Sequence, residues 1–131
     1  MKMDNSNTAL NKILSNLQVK YNHYNNLFNL TKQLEEVFKM NDEVSIAATL
    51  NMRQKVMLIV DKLDAENRLI VSKLPKAIKE RMTEVLFPKG DPVRLENALE
   101  TNIFDTNKRN LTLLKKIIDL DDKVNKIINK R

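Results

Sequence analysis

One glycine, Gly90, serves the whole 131-residue chain, and it stands between Pro88 and Pro92. Strands joined by tight hairpins, and loops that cradle phosphates, normally need glycine where φ is positive or where backbone must approach a ligand closely. A chain with almost none is pushed toward long helices, and the glycine-rich nucleotide motifs are missing with it. The strong backbone punctuation is gathered at Pro75 and in Pro88-Lys89-Gly90-Asp91-Pro92.

Apolar spacing supplies the helices. Leu10, Ile13, Leu14, Leu17, Tyr21, Tyr24, Phe28, Leu34 and Phe38 recur every three or four residues, the stripe of one buried helix face. It predicts a first helix over about 8–40, capped by Asn7 or Thr8. Asn41-Asp42 interrupts it, and Asp42 is a suitable N-cap for a second helix over about 43–73. A connection that short predicts an antiparallel hairpin.

The second helix has two apolar rows: Ile46, Leu50, Met57 and Val60, and then Met52, Val56, Ile59, Leu63, Ile70 and Leu74. Together they are wide enough to touch two neighbours. Pro75 predicts a break, followed by a short helix over about 76–87 with Ile78, Met82, Val85 and Leu86 inward. Asp91 as N-cap and Pro92 as first helical residue predict a last helix over about 92–129. Its stripe of Leu95, Leu99, Ile103, Leu114, Ile117, Leu120, Val124 and Ile127 passes a polar patch at Asn102, Thr106, Asn107 and Asn110. Such a patch can fix register, or weaken the junction and let the helix end move on its own. The expectation is a single all-α domain over 1–131: a long antiparallel helical hairpin, a short helix and a long C-terminal helix, forming an elongated, coiled-coil-like bundle of three to four helices.

Composition narrows the chemistry. The absence of cysteine excludes disulfides, thiolate metal sites and cysteine catalysis. The longest apolar run, Val56–Val60, is far short of the roughly 20 residues of a bilayer span. The polar start Met1-Lys2-Met3-Asp4 shows no secretory signal, so the expected location is the cytoplasm. The one histidine, His23, has no acid three residues before it, so the Glu-x-x-His metal pattern of helical bundles is missing. Asp61, Asp64 and Glu66, and later Asp119, Asp121 and Asp122, lie among Lys62 and Lys123, as solvated acids do. The expectation is a non-enzyme with neither metal nor cofactor.

The net charge of +6 is uneven, with eight Lys or Arg against three Asp in residues 108–131. A basic end of this kind can serve as a solvated face or meet an acidic partner, nucleic acid or a membrane surface. The methionines, among them Met40, Met52, Met57 and Met82, fill cores and also suit surfaces that adapt to apolar helices. Leu111, Leu113, Leu114, Ile117, Ile118, Leu120, Val124, Ile127 and Ile128 make a wide apolar band on the basic helix, with Leu111, Leu114, Ile117, Ile118, Val124, Ile127 and Ile128 as the partner-binding candidates. This band is the candidate partner-binding element: it must pack on the hairpin, pair with a second copy in a homodimer, or receive a partner helix.

Three stretches carry a family resemblance. They are Leu34-Glu35-Glu36-Val37-Phe38-Lys39-Met40-Asn41-Asp42, then Arg53-Gln54-Lys55-Val56-Met57-Leu58-Ile59-Val60-Asp61-Lys62-Leu63-Asp64-Ala65-Glu66-Asn67, and Asn107-Lys108-Arg109-Asn110-Leu111-Thr112-Leu113-Leu114. With the later Ile118-Asp119-Leu120-Asp121-Asp122-Lys123-Val124-Asn125, the chain resembles the small flagellar type III export chaperones, the FlgN-like and FliT-like families. It departs from them in having no aromatic residue after Phe104, where some members use a C-terminal tyrosine to meet the export gate. The resemblance implies a cytoplasmic chaperone that holds late flagellar subunits, such as hook-junction or filament-cap proteins, and escorts them to the export apparatus. Two other readings stand beside it: a structural or oligomerising bundle, a phage-derived one included, and a basic nucleic-acid-binding module.

Overall fold

A computed structural model describes residues 2–90 and 94–129, with side chains from residue 6 onward. The described residues form four helices: α1 (Lys2–Lys39), α2 (Glu43–Ser72), α3 (Lys76–Leu86) and α4 (Ala98–Asn129). They pack as an all-α bundle.

Local chemistry sets most helix ends. Asn41 takes the left-handed conformation at φ 55°. The amides of Asn41 and Asp42 then donate to the carbonyls of Phe38 and Val37, closing α1 with the paired bonds of a Schellman motif. Asp42 begins α2 at once: its carboxylate accepts from the Ser45 amide at 3.1 Å and the Ser45 hydroxyl at 2.7 Å. Pro75 separates α2 from α3 and serves as the N-cap residue of α3, without a side-chain cap bond.

Two helices start elsewhere than the sequence suggested. Helix α1 is already formed at Lys2, so Asn7 and Thr8 lie inside it and cap nothing. No Pro or Gly in residues 2–8 stops the helix from extending. Helix α4 begins at Ala98, not near 92; the expected cap at Asp91-Pro92 lies outside the described residues. The operative signal is Asn97-x-x-Glu100. The Asn97 side chain accepts from the Glu100 amide at 2.9 Å, and the Glu100 carboxylate reaches back to the Glu96 amide at 3.3 Å. This is a capping box displaced by one residue at its return bond.

Helix α1 is the spine. It runs antiparallel to α2, with Asn16 bonded to Asn67 at 2.9 Å near one end and Gln33 bonded to Thr49 at 3.2 Å near the other. It runs parallel to α4, since Leu10 clusters with Ile103, and Leu34 with Val124. Among the described residues no Cα of α2 comes within 8 Å of a Cα of α4. Helix α3 lies over the seam between α2 and α4 at the Leu10 end and makes no such approach to α1.

The core falls into three clusters along the spine. At the α3 end, Leu10, Ile13, Leu17, Val71, Leu74, Met82, Val85 and Ile103 unite all four helices. In the middle, Tyr24, Leu27, Leu30, Val56, Val60 and Ile117 unite three. Leu34, Val37 and Val124 close the far end, with Ile46 and Ile128 against them. Each large side chain so buried contributes about 1.5–3 kcal/mol by leaving water.

Candidate partner-binding surface

The phase of α4 against α1 decides what the C-terminal band offers. Ile117 and Val124 point into the core and are 2% and 1% exposed. Docking of α4 therefore takes these two candidates out of a partner's reach. Leu114, Ile127 and Ile128 are half-buried, with Leu114 and Ile128 packed against the middle and far clusters. Leu111 and Ile118, 40% and 50% exposed, are the two members of the band that remain open. The seven residues thus divide between packing and surface.

The polar patch bonds α4 to two neighbouring helices. Helix α4 is continuous through it. Asn107 donates to the Val85 carbonyl at 2.9 Å, satisfying a carbonyl in the last turn of α3 that has no partner within its own helix. Asn110 donates to the Leu17 carbonyl of α1 at 3.0 Å. Both side chains are buried. Each side-chain amide N–H finds an acceptor on a neighbouring helix, while the Asn110 Oδ1 is buried without a partner.

Two ion pairs fix the seam over which α3 lies. Glu100, 1% exposed, receives a two-pronged contact from Arg81 of α3 at 2.8 and 2.9 Å. That contact raises the Arg81 pKa above its ordinary value. Further along, beyond α3, Arg53 of α2 reaches Asp121 of α4, with both carboxylate oxygens 2.8 Å from Nη2. The Arg53 Nε is buried there without a partner.

Helix α2 carries the largest exposed apolar display. Val44, Leu50, Met52, Met57, Leu58, Ile59 and Leu69 are all exposed. The breadth of its stripe suggested two neighbours along its length, but only α1 lies against it over most of that length. Met82, by contrast, is wholly buried core.

The basic segment forms a second feature. The Arg109 guanidinium lies 4.6 Å from the Tyr21 ring centroid, and hydrogen bonding from Arg109 and then Asn25 lowers the Tyr21 hydroxyl pKa. Lys108 and Lys116 line the same shallow concavity, with Asp105 opposing them. No group of three or more His, Cys, Asp or Glu converges for a metal among the described residues. No helix among them is long and apolar enough to cross a membrane. Comparison of the chain with protein-family models, with curated proteins and with solved structures finds no significant match in any of the three.

Proposed function

We propose that this protein is a carrier of other proteins' helices, of the flagellar late-subunit export chaperone type. The observation that carries the reading is the exposed apolar display of α2, joined by Leu111 and Ile118 of α4. Exposed large apolar side chains concentrated on one helix support an interaction site, and Met52 and Met57 can reshape to different apolar ligands. The family resemblance names the cargo: hook-junction or filament-cap proteins, held in the cytoplasm and passed to the export apparatus. No cofactor or catalytic step enters this function. The test is affinity capture with tagged late flagellar subunits from the same genome. Capture of at least one at micromolar affinity is expected, and failure with all of them would sink the reading.

The same apolar display supports a second reading, an oligomerising structural bundle in which copies cover one another. Light scattering across a concentration series separates the two. A large stable assembly favours the bundle, and a monomer or dimer favours the carrier. The cations around Tyr21 are what a nucleic-acid module would use. Its binding would weaken by about 0.9 log units per log unit of salt for each duplex phosphate neutralised.

A further inference from the structure

The sequence of α3 does little to make it a helix. At 11 residues it is shorter than the roughly 12–15 below which an isolated helix is marginal in water. Its terminal charges run against the helix dipole, with Lys76 and Lys79 in the first turn and Glu84 in the last. Glu80 and Glu84 set like charges one turn apart, and none of these four residues takes part in an ion pair among the described residues. The Thr83 hydroxyl bonds back to the Lys79 carbonyl at 2.7 Å, a contact that slightly weakens a helix. Pro75, the N-cap residue, makes no side-chain cap bond. The other helices are better supported. Helix α2 has the Asp42 cap and Glu43, α4 has the Asn97 cap, Glu100 and Lys126, and α1 ends on Lys39.

Docking supplies what the α3 sequence lacks, and it does so at few points. Met82 and Val85 enter one cluster with Val71, Leu74 and Ile103. Arg81 meets Glu100, Asn107 donates to the Val85 carbonyl, and Phe87 lies beneath the Arg68 guanidinium, 5.8 Å from ring centroid to Cζ. No Cα of α3 comes within 8 Å of one in α1, the spine of the bundle. The chain breaks at both ends of α3. Leu74 precedes a proline, a position that disfavours helical backbone, so α2 and α3 are separate rods. Past Phe87, Gly90 takes φ 92°, with no atom within 4 Å of where a Cβ would stand.

We infer that α3 is a latch: a unit that opens and closes on the seam between α2 and α4 while the other three helices stay packed, turning at Pro75 and baring Val71, Leu74 and Ile103 when open. The remainder can hold together without it, since neither the middle nor the far cluster contains an α3 residue. Only the α3 contacts break on opening, so the open state lies below global unfolding in free energy. In the closed state α3 competes with any other helix for the seat. The latch stands apart from the carrier reading, because its test needs no cargo.

The chain has no cysteine, so Val85→Cys gives a single thiol at a position 2% exposed, and Val60→Cys on α2 gives a buried control in the middle cluster. Under native conditions a disulfide reagent such as dithiobis(nitrobenzoate) should react at least about tenfold faster with the first thiol than with the second. Adding Lys76→Glu and Glu84→Lys, both at exposed positions, turns the terminal charges in favour of the dipole. This should slow the first thiol about threefold or more and leave the second unchanged. Adding Arg81→Ala instead should speed the first about tenfold. Circular dichroism verifies the helix content of each variant. In the unsubstituted chain, the amides of Lys79–Phe87 should exchange with deuterium as one set, ahead of those around Val60. Equal reaction of the two thiols, or exchange of α3 in step with α2, overturns the inference, since α3 then opens only with the whole bundle. So does a Val85→Cys rate that neither the charge exchange nor Arg81→Ala changes.

Discussion

The two ends of this bundle are built from the same spine and differ in one helix. At the Leu10 end α3 bridges the seam between α2 and α4, and Met82 and Val85 are buried. At the Leu34 end, among the described residues, the seam has no fourth helix, and the Arg53–Asp121 contact spans it. The polar groups differ accordingly. Glu100 is sealed against Arg81, whereas Asp121 keeps 35% of its side chain in solvent. A side chain that would be core at one end becomes surface at the other, although the apolar repeat barely changes. Periodicity specifies a face; whether that face is covered depends on how far each neighbouring helix extends.

Substitutions can break this contrast. The largest effect should come from Ile117→Ala, a loss of about 2–5 kcal/mol for a fully buried isoleucine. Its neighbour Ile118→Ala should change stability by no more than about 0.5 kcal/mol. Urea unfolding of the pair measures both, and equal losses would mean that α4 does not sit in this phase. Glu100→Gln should cost about 3 kcal/mol, because Arg81 is left partly buried without its counter-charge. Asp121→Asn, at the open end, should cost less, about 1–2 kcal/mol: solvent screens its carboxylate, although Arg53 is the more buried of the two arginines. If Asp121 proves the more costly, the covered and open ends have been assigned the wrong way round.

Asn107→Ala should remove about 1–3 kcal/mol by leaving the Val85 carbonyl unpaired. Hydrogen exchange should then speed up in the last turn of α3 but not in α2. The smallest effect belongs to Asp42, whose pKa is lowered chiefly by the Ser45 hydroxyl and then by the Ser45 amide. A folded pKa below the unfolded one means stability that is present above the ordinary carboxylate value and lost as pH falls through the depressed one. Asp42→Asn should keep the cap and lose this acid-range contribution, while Asp42→Ala should lose the cap as well. Melting temperatures across about pH 2–6, a range that brackets the ordinary Asp value of about 3.9, distinguish them.

Helix class and the hairpin were legible because their signals are local. The apolar spacing, Asn41-Asp42 and Pro75 act within a turn of where they stand. The start of α4 was legible too, in Asn97-x-x-Glu100, but Asp91-Pro92 competed for the same role. What sequence could not reveal is long-range pairing. Asn107 and Asn110 look like a weak point until their acceptors, 22 and 93 residues away, are seen. The division of the C-terminal band between core and surface depends on the rotation of α4 about its axis. Seven apolar residues spread around that helix do not fix such a rotation, and only Leu111 and Ile118 stay open.

The parallel pairing of α1 with α4 also orders events in time. The hairpin partners of α1 follow it directly in the chain, whereas Asn110 meets Leu17 across 93 residues. Local contacts form before distant ones, because closing a long loop costs more entropy. The hairpin should therefore assemble first and wait with the α4-facing flank of its spine bare. During synthesis at roughly 5–20 residues per second, that interval lasts on the order of several seconds. The chain is then itself a protein with an uncovered apolar face, and α4, emerging after the hairpin, is the helix that relieves it.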